Sequence, residues 1–350
     1  MKHIPVFDGL RGILALWVVL FHVFTISGHF VHPAIDGQHA VTVFFALSGF
    51  VIAKLAFERR EHCIVFITRR FFRLFPVYAV CLIIASFFLF LGVMPTTFKV
   101  EQALPHTISH ISMLHGLVPP IILPDAEKAI LNPAWSVSVE WQFYILAPIL
   151  FSILIKWPTA GLVFLLGISG IAKRIIVPAS HLGGATFFAN APFFTLGIVS
   201  YFVWTWIEKH HVSLKGGHLP LVIAMPLLPI PFLAVAQNMG LFVWLFVFGI
   251  AIHHSFNGNS LVVARISNFL SSRALVWLGA ISYPLYLVHE PFVWLFVAHG
   301  RNYLPGITDV GFVFIAGAAV IVVSLFFSQM LSDFIEKPAI AFGKRATAPK

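Results

Sequence analysis

The sequence is dominated by apolar runs of membrane-spanning length, separated by short polar connections. A helix crosses the hydrocarbon core of a bilayer with roughly 20 mostly apolar residues. Hydrophobic residues make up 59% of the 350 residues and charged residues only 10%, whereas soluble domains carry about 25% charged residues. The sequence therefore predicts an all-α polytopic membrane helix bundle and argues against a soluble enzyme.

Ten runs are predicted to cross the membrane, in a single domain that covers residues 1–350. The first run is expected to stay in the protein as a helix, because no small-residue signal-peptide cleavage site follows it. The predicted spans are 9–29, 39–57, 74–94, 140–156, 158–175, 185–207, 218–236, 239–256, 274–298 and 309–332.

The placement of basic residues predicts the orientation of these spans. Seventeen of the 22 Lys and Arg residues fall on the side of the N-terminus and five on the other side. Cytoplasmic loops carry the excess of Lys and Arg, so both termini are predicted to be cytoplasmic, with a short tail at about 337–350. The net charge of +9 is thus assigned to topology, and no nucleic-acid partner is expected.

The only sizeable outer segment is predicted at about 95–139, between the third and fourth spans. Its prolines argue against one continuous helix, so short amphipathic pieces lying on the membrane are expected. His106 and His110 are one helical turn apart and His115 follows, but no metal site is predicted because no further ligand set joins them. Cys63 and Cys81 allow neither a disulfide framework nor a zinc site.

The first span contains two ionisable residues, Arg11 and His22, which are costly to bury in hydrocarbon. Their separation of eleven residues is about three helical turns, so they share a helix face about 16 Å apart along the axis. Asp8 precedes Arg11 by three residues and is expected to pair with it. The pattern places a guanidinium at the cytoplasmic mouth and an imidazole near mid-membrane. A snorkelling arginine and a packed histidine explain it about as well.

The stretch "RRFFRLFP" contains Arg69, Arg70 and Arg73 just before the predicted third span. A topology signal explains such clusters. Three arginines without a lysine also suit bidentate binding of phosphate. A polyphosphate ligand on the cytoplasmic side is therefore the functional hypothesis for this cluster.

Two further stretches combine polar and aromatic residues. In "WSVSVEWQFY", Glu140 is predicted at the outer start of the fourth span, where the helix dipole favours a carboxylate. It is alternatively a group that orients a base or holds an acceptor hydroxyl. In "ISYPLYLVHEPF", Tyr286 and His289 lie on one helix side, and interhelical hydrogen bonding explains this about as well as a site does.

Taken together, these stretches resemble the acyltransferase-3 family of integral-membrane O-acyltransferases. The matching elements are "FDGLRG" with the Arg-x10-His spacing, "VFFALSGFVIA", "RRFFRLFPVY", "WSVSVEWQFY" and "ISYPLYLVHEPF". They occur in the family order over about residues 4–336. Each is a weak signal alone, and the ordered set is specific.

The resemblance implies transfer of an acyl group, most often acetyl, from cytoplasmic acyl-CoA to a hydroxyl of a cell-envelope or exported glycan or glycolipid. Acyl-CoA is then a co-substrate, and no cofactor is expected. The implied partners are the lipid bilayer, the glycan and polysaccharide assembly proteins, and the implied location is the bacterial inner membrane. A transporter or flippase of a lipid-linked sugar or metabolite is the alternative, although no internal symmetry of the transporter kind is visible.

The site residues follow from the motif matches together with the spacing. His22 acts either as a general base or as a nucleophile that takes the acyl group covalently. The predicted catalytic residues are His22 and Glu140; the predicted donor-binding residues are Arg11, Arg69, Arg70 and Arg73; the predicted supporting or acceptor-side residues are Asp8, Ser48, Trp135, Ser136, Ser282, Tyr283, Tyr286 and His289.

Overall fold

The computed structural model describes residues 3–171, 184–210, 239–256, 258, 260–304 and 306–348. These residues form helices and no strand, which confirms the all-α prediction. The predicted span 218–236 lies outside the described residues. The α-helices are α1 (Pro5–Ile26), α2 (Gly37–Arg59), α3 (Cys63–Phe90), α4 (Ala103–Ile111), α5 (Ala134–Lys156), α6 (Pro158–Ile171), α7 (Phe187–Lys209), α8 (Met239–Ser255), α9 (Leu261–Leu270), α10 (Arg273–Ala280), α11 (Ser282–Val293), α12 (Asp309–Leu331) and α13 (Lys337–Ala346).

Six helical stretches of the described chain are long and apolar enough to cross a membrane. Helices α9 and α10 add a seventh if the bent pair counts as one span, while α6 and α8 are apolar but shorter. The chain is thus a multi-pass membrane protein. The number of ten spans and the cytoplasmic location of the termini stay predictions.

Two helices begin earlier than the apolar pattern predicts. Helix α3 begins at Cys63, and α5 begins at Ala134, directly after Pro133. Arginine is a good helix former, so the basic stretch continues α3 instead of preceding it. A proline fits at a helix start because the missing N–H has no partner there. The arginine cluster therefore lies inside α3, and Glu140 lies in the second turn of α5, not at its start.

In the predicted span 274–298, Pro284 is expected to break the ladder of backbone hydrogen bonds, and the structure shows an interruption there. Helix α10 ends at Ala280, α11 begins at Ser282, and a π-helical segment, Trp294–Ala298, follows α11. Helices α9 and α10 are also bent by 46° relative to each other. The proline at position 284 explains the break, because it has no N–H and its ring collides with the carbonyl four residues earlier, at Ala280.

The chain divides into two compact units, each formed by segments that are distant in sequence. The first unit contains Met1–Phe21, His29–Lys54 and Phe193–Tyr283, and the second contains His22–Gly28, Leu55–Pro192 and Pro284–Lys350. The core of the first unit is aromatic: Phe7 packs edge-on against Phe50 at 5.2 Å between ring centroids, and Trp244 stacks on Phe248 at 5.7 Å. The Trp244 indole N–H donates to Ser200 Oγ over 3.0 Å, which satisfies a buried donor.

Helices α2 and α7 cross with their backbones in contact in the first unit. A methyl group added to Gly49 would lie 2.2 Å from the Phe194 carbonyl oxygen, and one added to Gly197 would lie 1.9 Å from the Ala46 carbonyl oxygen. Small residues permit such close approach between membrane helices, where van der Waals packing drives association. The glycine of "LSGF" is therefore a packing requirement.

In the second unit, α4 has its polar side inward. His106 and His110 are both 0% exposed, whereas Leu104, Ile108 and Ile111 are 68%, 60% and 52% exposed. A soluble amphipathic helix buries its apolar stripe instead. The outward apolar face suits hydrocarbon around this helix, and the predicted amphipathic piece at 95–139 is thus a short helix whose histidines pack into the protein.

Candidate active site

The centre of the candidate site is a pair of histidines that both belong to the second unit and come from two different helices. His22 lies four residues before the C-terminal end of α1, and His289 lies in α11. His22 Nδ1 is 2.9 Å from His289 Nε2, and the ring centroids are 5.0 Å apart. His22 is half-buried and His289 is fully buried. The sequence placed His22 near the middle of its span, but α1 ends at Ile26, so His22 lies close to the helix end.

The hydrogen bonds fix the tautomers of both rings. His289 Nδ1 is 3.0 Å from the Leu285 carbonyl oxygen, and a carbonyl oxygen only accepts, so His289 carries its proton on Nδ1. His289 Nε2 then holds a lone pair and accepts the Nδ1–H of His22. The lone pair of His22 is then on Nε2, which makes it the basic nitrogen of the ring. A base oriented by a second group in this way matches the logic of nucleophile–base–orienter arrangements.

The turn at residues 132–136, at the start of α5, holds the residues on either side of His289. The Tyr286 hydroxyl lies 2.8 Å from Ser136 Oγ and 3.1 Å from the Pro133 carbonyl oxygen. The Asn132 N–H donates to Glu290 Oε2 over 2.8 Å. The structure thus brings together two predicted supporting residues, Ser136 and Tyr286. Their hydrogen bond connects the start of α5 to α11, the helix that carries His289.

Two buried carboxylates, Glu290 and Glu336, form contacts with site residues or their neighbours. Neither was predicted from the sequence as a site residue. Glu290 is only 5% exposed and directly follows His289, so the available signal was two adjacent ionisable residues within an apolar run. Glu336 is only 2% exposed, and its partner is Arg73 in α3. No local pattern in the sequence indicates a partner 263 residues away.

The second predicted catalytic residue, Glu140, accepts a hydrogen bond from the Tyr144 hydroxyl one turn further along α5. The Tyr144 ring lies under the guanidinium of Arg70, 6.0 Å from its centre, and the Phe66 ring lies 5.9 Å away from it. Cation–π contacts of this kind orient an arginine without neutralising it. Glu140 is therefore linked through Tyr144 to the arginine cluster of α3.

The three arginines of α3 have different surroundings. Arg69 donates to Glu61 over 2.6 Å and to Thr347 Oγ1 over 2.8 Å, and Arg73 forms an ion pair with the buried carboxylate of Glu336. Arg70 Nε, by contrast, is buried with no hydrogen-bond partner among the described residues. The predicted donor-binding cluster thus contains two carboxylate-paired arginines and one stacked on aromatic rings.

Other predicted site residues belong to the first unit. The carboxylate of Asp8 lies 2.5 Å from His3 Nε2, and the Ser282 hydroxyl donates to the Gly279 carbonyl over 2.8 Å. The remaining first-unit candidates are Arg11 in the second turn of α1, Ser48, buried in α2, and Tyr283, buried in α11. Trp135 lies in the first turn of α5, in the second unit.

No group of three or more His, Cys, Asp or Glu side chains suited to a metal ion occurs within the residues that the structure describes. The nearest arrangement is the histidine cluster of His106, His110 and His115. The rings of His110 and His115 are parallel within 2°, with centroids 4.2 Å apart. Imidazole lone pairs lie in the ring plane, so the two rings do not converge on one ion.

Known proteins match this chain over most of its length. The family model described as an acyltransferase domain matches residues 4–329. The acyltransferase MdmB of Streptomyces mycarofaciens is 31% identical over 49% of this chain and 45% of its own length. The peptidoglycan O-acetyltransferase OatA of Listeria monocytogenes is 24% identical over 84% of this chain and 50% of its own.

The O-acetyltransferase OatA of Staphylococcus aureus is likewise 24% identical, over 83% of this chain and 51% of its own length. The chain spans about half the length of the curated relatives it matches. No solved structure gives a significant match. The family model covers nearly the whole chain, from the start of α1 to the end of α12, and the chain therefore belongs to the acyltransferase-3 family.

Proposed function

We propose that this protein is a membrane O-acyltransferase that moves an acyl group, acetyl in the simplest case, from cytoplasmic acyl-CoA to a hydroxyl of a cell-envelope or exported glycan or glycolipid. Family membership supports the reaction class. The names of two bacterial relatives, both O-acetyltransferases and one of them a peptidoglycan O-acetyltransferase, support the acetyl group and a glycan acceptor. A location in the bacterial inner membrane is part of the same proposal. The single observation that carries the proposal is the oriented pair of His22 and His289.

The reaction needs a base for the acceptor hydroxyl, and His22 Nε2 has the lone pair for it. In the direct route, the hydroxyl proton moves to His22 Nε2 while the oxygen attacks the thioester carbonyl. The tetrahedral intermediate then collapses, the C–S bond breaks, and the CoA thiolate takes the proton from His22. His289 Nε2 accepts the Nδ1–H of His22 throughout, which favours the imidazolium that forms.

A covalent route uses the same nitrogen. His22 Nε2 attacks the thioester and expels CoA thiolate, giving an acyl-imidazolium. The acceptor hydroxyl then attacks this acyl group, the bond to Nε2 breaks, and the hydroxyl proton passes through water to the CoA thiolate. Radiolabel that stays on protein after acid quench of a reaction with labelled acetyl-CoA distinguishes this route from the direct one.

Glu140, hydrogen-bonded to Tyr144, remains proposed as the second catalytic group, which holds the acceptor hydroxyl or supports the base.

The donor phosphates are proposed to bind the arginines of α3, and the role of Arg11 as a donor ligand stays a prediction from the sequence. Arg70 is the first candidate, because its Nε has no partner among the described residues and a guanidinium binds phosphate in a bidentate manner. Arg69 and Arg73 contribute to phosphate binding if the phosphates compete with Glu61 and Glu336 for them. Arg70→Gln is expected to raise the KM for acyl-CoA more than it lowers kcat.

The test is the ester-bound acetate per sugar in envelope glycans of cells that produce wild type, His22→Ala or a matched control. His62→Ala is that control, because His62 is an exposed histidine whose side chain makes no capping hydrogen bond at α3. We expect loss of ester with His22→Ala only. Full activity of a folded His22→Ala protein would overturn the mechanism, and lost glycan export with unchanged ester per sugar would point to transport instead.

A further inference from the structure

The buried histidine cluster between α3 and α5 has no part in the reaction proposed above. His106, His110 and His115 are each 0% exposed. His110 Nε2 and His115 Nδ1 have no hydrogen-bond partner among the described residues, and the same holds for both ring nitrogens of His106. An unsatisfied buried polar atom costs about 1–3 kcal/mol, so an apolar side chain would serve packing better. Packing alone therefore does not explain why histidines occupy these buried positions.

One of these histidines donates a hydrogen bond to the start of α5. His115 Nε2 lies 3.2 Å from the Ala134 carbonyl oxygen, so it carries the ring proton, and Nδ1 holds the lone pair. The next residue, Gly116, donates its N–H to Ser138 Oγ over 3.1 Å. Residues 115 and 116 thus hold α5 at two points within its first two turns.

The ring of His115 is itself held in place. It lies parallel to the His110 ring, with centroids 4.2 Å apart, and to the Tyr78 ring, with an interplanar angle of 3°. The Tyr78 hydroxyl donates to the His110 carbonyl oxygen over 2.9 Å. The His115 ring is thus held by stacking on its faces and by the hydrogen bond of Nε2 at its edge. It therefore holds the backbone at Ala134, which accepts that hydrogen bond.

From Ala134, a short series of contacts leads to the reacting histidine. The preceding residue, Pro133, accepts the hydroxyl of Tyr286 through its carbonyl oxygen over 3.1 Å. Tyr286 lies three residues before His289 on α11, and His289 is hydrogen-bonded to His22. A displacement of a catalytic group by about 1 Å can cost roughly 10²-fold in rate. The orientation of His22 therefore depends on the backbone that His115 holds.

We propose that His115 is a positioning residue for acyl transfer: it holds the start of α5, which in turn sets Tyr286 and the helix that carries His289. His115 touches neither the substrate nor the reacting atoms. The inference rests on the proposed function, and it assigns to the outer segment a part in catalysis at a distance from His22. Because the series of contacts from His115 through Ala134, Pro133 and Tyr286 does not include the arginines of α3, the expected effect falls on kcat and not on donor binding.

The test compares His115→Leu, His115→Gln and His106→Leu in the full chain, reconstituted in liposomes with acetyl-CoA and the envelope glycan fraction of the producing cells. His106 is the matched control, being equally buried but with both ring nitrogens unpartnered. We expect His115→Leu to lower kcat by about tenfold or more at unchanged KM for acetyl-CoA, since positioning acts on the transition state. Glutamine, whose amide N–H can donate to Ala134, should restore most of the rate.

Hydrogen exchange gives a readout that does not depend on activity. His115→Leu should raise amide exchange in the peptide 132–138, and His106→Leu should not. Equal loss of kcat in the 106 and 115 variants, no rescue by glutamine, or unchanged exchange at 132–138 would each overturn the positioning role. A wild-type protein that transfers no acetyl group would instead remove the proposed function, and with it this inference.

Discussion

His22 donates its Nδ1–H to Nε2 of His289 across 2.9 Å, and His289 donates its own Nδ1–H to the Leu285 carbonyl oxygen across 3.0 Å. This chain of two imidazoles ends on a backbone oxygen, so the direction of both hydrogen bonds is fixed. It leaves His22 Nε2 as the basic atom. The pair gives His22 in α1 a defined partner and a defined tautomer.

Replacing the orienting histidine tests this relationship. His289→Phe removes the acceptor for His22 Nδ1–H, so both the tautomer and the ring orientation of His22 are lost. We expect kcat for acetyl transfer to fall by about 10²-fold or more, as for other oriented bases. His289→Gln, whose carbonyl oxygen can accept the same hydrogen bond, should retain more activity than His289→Phe. Equal activities in the two variants would contradict the orienting role.

Breaking the ion pair between Arg73 in α3 and Glu336 tests how much this pair contributes to the stability of the fold. Glu336 is 2% exposed, so Arg73→Met leaves a buried carboxylate without its counter-ion. Loss of one partner of a buried pair costs about 3–5 kcal/mol, whereas loss of both is often nearly neutral. We expect the thermal unfolding midpoint in detergent to fall with Arg73→Met and to recover in Arg73→Met/Glu336→Leu. A double variant as unstable as the sum of its single variants would argue against the pair.

Adding one methyl group tests the crossing of α2 and α7. Gly49→Ala places a carbon 2.2 Å from the Phe194 carbonyl oxygen, and the backbones must separate. Overpacking of this kind costs about 1–3 kcal/mol. Gly167→Ala is the control, since none of the described residues comes within 4 Å of the added carbon there. The thermal midpoint should fall for Gly49→Ala alone, and a similar midpoint for both variants would be inconsistent with the close crossing.

The histidine cluster predicts a dependence of local stability on pH. Burial lowers the pKa of His110 to about 4 and lowers the pKa of His115 well below its usual range. Unfolded histidines titrate near about 6.5, so between about pH 6.5 and 4 the unfolded segment binds protons that the folded segment does not. The contribution of these neutral histidines to stability is complete above about pH 6.5 and is lost as the pH falls towards the folded pKa.

Hydrogen exchange of residues 103–117, corrected for intrinsic rates, checks this expectation at pH 7 and pH 5. Protection should decrease at pH 5 in wild type and decrease less in His110→Phe, which has one fewer buried titrating ring. The same pH dependence in both proteins would show that protonation of His110 does not govern the stability of the segment.

The sequence by itself determined the fold class and the main membrane helices. Apolar runs of about 20 residues leave no alternative in a bilayer, because backbone hydrogen bonds must be satisfied within each segment. Local spacing also placed Arg11 and His22 on one helix, and α1 is continuous through both. Local patterns were less reliable at helix ends, as at α3 and α5, whereas Pro284 correctly indicated the interruption of the span 274–298.

Only the tertiary structure decided which polar groups meet. His22 and His289 are 267 residues apart in the chain, and Arg73 and Glu336 are 263 apart. Periodicity indicates which residues share a face of one helix, but it carries no information about the helix that covers this face. Buried polar groups must find partners wherever packing brings them. For this reason the sequence indicated which ionisable residues lie in the membrane helices. The partner that orients His22, the carboxylates that pair with Arg69 and Arg73, and the proposed role of His115 emerged only from the tertiary structure.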